Sequence, residues 1–345
     1  MGDTSRNKAE QDAITRIRDK RIDTPAEDLI AGVLEGNRVA LGQAITCIES
    51  TNRAHRELAS QILKACLLYS GNSLRIGITG VPGVGKSTFI DTFGEFLIGE
   101  NKKVAVLAID PSSASTGGSI LGDKTRMERL SMNENAFIRP SPSSSTLGGV
   151  ARKTRESIVL CEAAGYDVIL VETVGVGQSE TAVHGMTDFF LLLMLAGAGD
   201  QLQGIKRGIM EMADGMVITK ADGSNENLAG RAQSDYQSAL HLFPPRSSSW
   251  TPRVLTTSAL ENKGIGETWN MILAFEAWMK ERSLFHKNRQ SQDENWMMET
   301  LHQLLNEEFF ANESNRQHVI AARLKMAARE ITPFEAADWI ISNRK

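Results

Sequence analysis

Hydrophobic positions change period twice along the chain. Between residues 24 and 72 they recur at helical spacing, with Leu29, Ile30, Val33 and Leu34 on one stripe. Two further helical stretches run from about residue 38 to 49 and from about 53 to 69. Gly36 and Gly71 punctuate them. Thr24-Pro25-Ala26-Glu27 reads as a capping box with proline at the first helical position, Thr24 accepting from the Glu27 amide. From Leu74 the pattern becomes short apolar runs, each followed by turn residues and a helical stretch: 74–79, 104–109, 168–171, 189–195, 216–219 and 253–257. That alternation predicts an α/β fold with a doubly wound, mostly parallel sheet covered by helices on both faces, and places functional residues where strands end. Beyond about residue 267 helical spacing returns, with Trp269, Ile272 and Phe275 on one face and Met297, Leu301, Leu304 and Leu305 on another. A second box, Thr332 to Glu335, opens a last short helix. The expected division is an N-terminal helical extension (1–72), an α/β domain (73–280) and a C-terminal helical arm (281–345).

Composition narrows the classes. The 345 residues carry 38 basic and 42 acidic side chains, a formal net charge of −4, which argues against a nucleic-acid or anionic-membrane binder. The cluster Arg16, Arg18, Lys20 and Arg21 is diluted by Asp19 and Asp23 and reads as a solvated helix face. Cys47, Cys66 and Cys161 lie far apart with no CxxC, pointing to a reducing compartment with neither disulfide frame nor zinc knuckle. The first residues lack the apolar core of a secretory signal and carry acids that a transit peptide avoids, so a cytoplasmic protein is expected. The most apolar stretch, 189–196, is far too short to span a bilayer and reads as a buried parallel strand. All five tryptophans (Trp250, Trp269, Trp278, Trp296 and Trp339) fall in the final part, where packing against a second subunit or a partner is expected to engage them, plain intramolecular packing being the alternative.

Three strings carry chemistry. GVPGVGKST supplies Gly80, Val81, Pro82, Gly83, Val84, Gly85, Lys86, Ser87 and Thr88 between a strand and an apolar helix, the context that GxxxxGK[ST] requires. Its glycines let backbone amides turn toward an anion, Lys86 reaches the β and γ phosphates, and Ser87 ligates Mg²⁺ at the helix N-terminus. The second string closes the run at Val171 with Glu172 and continues TVGVGQSE to Glu180; an acid there holds Mg²⁺ directly or through water in a P-loop enzyme. The third is VITKADG, in which Asp222 accepts from guanine N1 and N2 hydrogens while the Lys220 stem lies along the base. Thr219 stands where Asn is commoner, which weakens the brace but leaves the carboxylate. Downstream, Ser258, Ala259 and Leu260 in TTSAL are placed to meet guanine O6. Between the first two strings, Asp110 ends a strand and Asp123 lies in a Gly- and Ser-rich loop, so either could join the metal shell; a turn-capping Asp is the alternative for each. Asp200, Gln203 and Lys206 are polar groups at the same sheet edge. No assured catalytic base or arginine finger is in view, so intrinsic hydrolysis is expected to be slow, with Gln178 and Glu180 candidates for orienting water.

In order, GVPGVGKST, DPSSASTGGSILGDKTRM, ETVGVGQSE, GDQLQGIKRGI and TKADG make the sequence resemble the MeaB/ArgK family of GTPases, within the wider group of metallochaperone GTPases. That family includes the human protein of methylmalonic aciduria type A. The resemblance covers about residues 74–260. It implies a P-loop NTPase fold with helical extensions, the C-terminal one a dimerisation arm. It also implies GTP and GDP as ligands with Mg²⁺, and a chaperone that gates cofactor delivery to an adenosylcobalamin-dependent acyl-CoA mutase such as methylmalonyl-CoA mutase, protecting it from inactivation. By position it makes Lys86, Glu172 and Asp110 the catalytic groups, Ser87, Asp110, Asp123 and Glu172 the metal site, and the loop around Gln203 and Lys206 a switch that couples nucleotide state to the mutase. Ala114-Ser115 departs from a more usual Arg-containing pair. Two alternatives stand beside it, a nickel-type metal-insertion GTPase, against which the six scattered histidines speak, and a nucleotide-dependent transport kinase of the older ArgK naming.

Overall fold

The computed structural model describes residues 24–50, 52–110, 127–142, 147–173, 179–197, 207–244 and 248–344. Seven strands form one sheet: β1 (Leu74–Gly80), β2 (Val104–Asp110), β3 (Ala136–Pro142), β4 (Val168–Thr173), β5 (Phe189–Leu195), β6 (Gly215–Thr219) and β7 (Arg253–Thr256). Their order is β3-β2-β4-β1-β5-β6-β7, and every pairing is parallel. Strands β2, β4 and β5 read as nearly unbroken apolar runs because helices cover both faces and leave no wet side to alternate with.

On one face, α4 (Lys86–Gly99) and α10 (Ile265–Glu281) set Phe89, Phe93, Trp269 and Phe275 against Ile76, Ile78 and Leu191. On the other, α6 (Leu147–Ala163) and the three helices before the sheet, α1 (Ala26–Leu34), α2 (Arg38–Glu49) and α3 (Arg53–Cys66), share a core with Leu107, Ile169 and Val171. A third cluster forms where α9 (Glu226–Leu240) covers Met216 and Ile218 of β6. Short helices α5 (Glu128–Met132), α7 (Ser179–His184) and α8 (Arg207–Met212) complete the domain. The helices α11 (Leu284–Ala311), α12 (Glu313–Ala327) and α13 (Pro333–Ser342) end the chain. Two compact units result, one ending at Arg289 and the other beginning at Gln290. No helix among the described residues is long and apolar enough to cross a membrane.

Three expectations are revised. The apolar runs number six, but a seventh strand, β3, lies at the sheet edge. Its sequence AFIRPSP hides it, because Pro140 and Pro142 are tolerated only where one side of the strand has no pairing to make, and Arg139 breaks the apolar run. Arg139 instead bonds Thr46 at 3.2 Å and pairs with Glu49, which ties α2 to that edge. The Thr24 capping box does not form: Pro25 has extended backbone and is itself the cap position, which leaves Thr24 one residue outside. The Thr332 box does form, with Thr332 accepting from the Glu335 amide. Three tryptophans are committed to intramolecular packing. Trp250 donates to the Asp214 carbonyl at 2.8 Å and meets Phe275 edge-on, Trp269 meets Phe93, and Trp278 lies against Trp250. All three cysteines are free and buried; burial pushes the Cys47 and Cys66 thiols up to about 11 and the Cys161 thiol further, which makes them poor nucleophiles.

Candidate nucleotide site

Strand β1 lies between β4 and β5, so the loop leaving it opens at the carboxyl edge of the sheet between two strand ends. Gly83 (φ +80°) and Gly85 (φ +95°) take left-handed backbone that other residues rarely adopt. Gly80 serves a different need, since a Cβ there would lie 2.6 Å from the Leu193 carbonyl oxygen of β5. Val84 is fully buried and anchors the loop, while Val81 is half-buried and Pro82 and Thr88 are exposed. Lys86 opens α4 and is buried, its Nζ donating to the Gly80 carbonyl at 2.8 Å and to that of Val81 at 3.4 Å. Burial lowers its pKa; the charges of Glu172 and Glu180 oppose that shift. Phosphate oxygens in the loop would replace those carbonyls as acceptors and add the countercharge that burial withholds.

Ser87 Oγ reaches Glu172 Oε1 at 3.5 Å. Glu172 is level with Ile78 of β1 and Ala108 of β2 in the register, which puts its buried carboxylate beside the phosphate loop. One residue on, Thr173 donates to Thr79 at 2.8 Å and fastens the two strand ends together. Asp110 is the last residue of β2, one beyond the pairing of Ile109 with Thr173. Glu180 is buried at the start of α7. Asp123, Ala114, Ser115, Gln178, Asp200, Gln203 and Lys206 lie outside the described residues.

At the other end of the site two distant strings meet. Asp222 Oδ2 accepts from Ser258 Oγ at 2.6 Å, and the Ala221 amide donates to the Thr257 carbonyl at 2.9 Å. Ser258 is fully buried, Ala259 half-buried, and Leu260 83% exposed. Thr219, which stands where Asn is commoner, makes a brace of its own. Thr219 Oγ1 donates to the Val84 carbonyl at 2.7 Å, with the Met194 carbonyl at 3.2 Å, and Lys220 Nζ donates to the Gly83 carbonyl at 2.9 Å. Two successive phosphate-loop carbonyls are thus held by two successive residues of the base-reading string, Lys220 adopting φ +57° to do so. The short threonine suffices because the end of β6 delivers its hydroxyl directly to the loop. Sequence spacing offered no signal for Asp91 and Thr92 of α4, which join the edge of this site through Arg129 and Ala259.

A cationic amine held on two carbonyls of a glycine-rich loop, a hydroxyl beside a carboxylate, and a second carboxylate at the far end together suit a nucleoside polyphosphate. Comparison with known proteins decides which kind. A family profile described as methylmalonyl Co-A mutase-associated GTPase MeaB matches residues 41–314. The chain belongs to the MeaB family of GTPases. A probable GTPase of Mycobacterium tuberculosis is 49% identical over 92% of this chain and 95% of its own length. GTPase ArgK of Escherichia coli is 49% identical over 87% and 90% respectively. A mouse protein named methylmalonic aciduria type A homolog, mitochondrial, is 46% identical over 91% of this chain and 78% of its own. Among solved structures, one described as an LAO/AO transport system kinase superposes with a TM-score of 0.74 at 40% identity, covering 92% of this chain and 96% of that one. As a MeaB-family GTPase the protein binds guanine nucleotide and hydrolyses GTP.

Proposed function

We propose that this GTPase is a chaperone for an adenosylcobalamin-dependent acyl-CoA mutase of the methylmalonyl-CoA mutase type, gating cofactor loading and protecting the loaded enzyme. The observation that carries the reading is the mutase-associated profile running past the nucleotide site into the helical arm, joined by the relatives named for methylmalonic aciduria. Lys86, Glu172 and Asp110 act at the phosphates in this reading, and Lys220, Asp222, Ser258, Ala259 and Leu260 at the base. The protein works in the cytoplasm, as a homodimer joined through the 290–344 unit, whose Leu301, Leu304, Leu305 and Ile320 are exposed.

A hard divalent cation fits the phosphate end. The Ser87 hydroxyl and the Glu172 carboxylate are oxygen donors 3.5 Å apart beside the loop, the donor chemistry that Mg²⁺ takes alongside phosphate oxygens. Asp110 and Asp123 complete the candidate shell. When bound, Mg²⁺ neutralises charge developing on the phosphates. The chain's own residues do the rest: loop amides and Lys86 orient the γ-phosphate, and Thr219 and Lys220 keep the base-reading end in register with it. Gln178 and Glu180 remain the candidates for holding the attacking water.

Hydrolysis by the isolated protein is slow on this reading, and the mutase completes the site. Tagged protein loaded with GDP or with a non-hydrolysable GTP analogue is expected to capture the mutase in a nucleotide-dependent manner, with the hydrolysis rate rising when mutase is added. Turnover at tens per second without mutase, unchanged by its addition, would sink the proposal, since an unassisted site of this kind is orders of magnitude slower.

A further inference from the structure

Helix α4 begins with the phosphate-binding Lys86 and Ser87, and one turn later it buries two polar residues that the phosphates do not need, Asp91 and Thr92. Each is met by a group from a distant segment. Asp91 Oδ1 accepts from the Leu130 amide at 2.9 Å and its Oδ2 from Arg129 Nε at 3.0 Å. That supplies the N-terminal cap which α5 lacks locally, since Met127 at its cap position offers no side-chain acceptor. Leu130 then lodges over Gly94, where a Cβ would lie 2.7 Å from its methyl group, so α5 is seated on α4 in one position.

Thr92 joins this seat to the base-reading end of the site. Its Oγ1 accepts from Arg129 Nη2 at 2.8 Å and lies 3.3 Å from the Ala259 carbonyl. A hydroxyl has a single proton, and the guanidinium occupies the acceptor side, so that proton points at Ala259. A cationic donor on the oxygen also polarises the O–H and strengthens the bond it makes. Thr92 is 2% exposed, so water does not compete for the contact.

We propose that Thr92 is a positioning residue for guanine selection: with Arg129 behind it, its hydroxyl pins the 258–260 loop to the helix that carries Lys86 and Ser87. The Ala259 carbonyl adjoins the backbone placed to meet guanine O6, so its anchorage sets that distance. This inference rests on reading the Asp222 and Ser258 end as the base pocket. Adenine, with no O6, gains nothing from the anchorage.

The test is displacement of a fluorescent GDP by GTP, ITP, XTP and ATP from the full-length protein, with thermal unfolding recorded for each variant. Thr92→Val keeps volume and removes the hydroxyl. It is expected to weaken GTP, ITP and XTP, which all carry O6, about fivefold each, the worth of one hydrogen bond, and to leave ATP unchanged. Thr92→Ser restores the wild-type ratio. Asp222→Asn reports on the pocket itself, because a carboxamide donates to the O2 of xanthine and shifts preference toward XTP. If Asp222→Asn gains nothing for XTP, the base-pocket reading falls and this inference with it. If Asp222→Asn gains XTP but Thr92→Val weakens all nucleotides alike or none, or Thr92→Ser fails to restore the ratio, the role of Thr92 alone is overturned.

Discussion

The two compact units of this chain treat their apolar side chains in opposite ways. In the sheet-based unit, large side chains such as Phe89, Phe93, Phe189 and Phe190 are fully buried. In the 290–344 unit the fully hidden apolar residues are Ala322 and Ala336, while Met297, Leu301, Leu304, Leu305, Ile320 and Leu324 are exposed. Helices with their apolar stripe in water have little besides caps and local pairs to hold them, since packing rather than propensity supplies most helical stability. The first unit therefore carries its own apolar core and the nucleotide site, while the second leaves its larger apolar side chains exposed, the face through which dimerisation is proposed above.

Substitutions can separate the two. The largest effect is expected at Arg289, the last residue of the sheet-based unit. Its guanidinium bonds Asp188 at 2.7 Å through both Nε and Nη2, and the Gly71 and Ser73 carbonyls at 2.5 Å. Burial opposes its charge, and the Asp188 carboxylate more than restores it, so its pKa is raised. Arg289→Met leaves Asp188 buried without its cation and should cost about 3–5 kcal/mol in urea unfolding. An unchanged midpoint would mean the cluster does not hold the unit together.

Next in size, Lys86→Ala should weaken GTP binding about a hundredfold by removing the buried cation, while light scattering shows self-association untouched. Leu305→Glu is expected to do the reverse, weakening self-association about tenfold or more by placing a charge on the exposed stripe, with the GTPase rate of the isolated protein unaltered. If both variants changed both properties, the division of labour would be wrong. Asn37→Ala removes the cap that accepts from the Val39 and Ala40 amides and should lower the stability of the sheet-based unit by about 1 kcal/mol. The smallest effect is on pH. The protonated amine is the form that binds phosphate, and the free protein's Lys86 pKa is lowered, so GTP affinity should fall with rising pH before an ordinary lysine would deprotonate. Lys86→Arg, whose guanidinium stays charged, should flatten that limb of a titration of GTP affinity.

Much of this was legible along the chain. Six strands showed as apolar runs, and the phosphate loop was readable because its glycines, lysine and serine act within nine consecutive residues. What escaped notice depended on partners far away. Strand β3 owes its place to an edge position that excuses two prolines and to a pairing of Arg139 with Glu49. Nothing in the neighbourhood of Thr219 shows that the Val84 carbonyl lies 2.7 Å from its hydroxyl. Trp250, Trp269 and Trp278 could equally have served an interface until Phe93, Phe275 and the Asp214 carbonyl were seen to hold them.

Period and local spacing therefore settled six of the seven strands and the phosphate-binding loop, because hydrogen bonds within a turn and alternation along a strand act between near neighbours. Ser87 with Glu172, and Asp222 with Ser258, were grouped from the sequence strings, but folding alone decided the contacts themselves: Glu172 beside Ser87, Asp222 on Ser258, and Thr92 against the Ala259 carbonyl across 167 positions of sequence. Those meetings are set by strand order and helix seating, and a hydroxyl or carboxylate in the chain carries no mark of the partner that three-dimensional packing will bring to it.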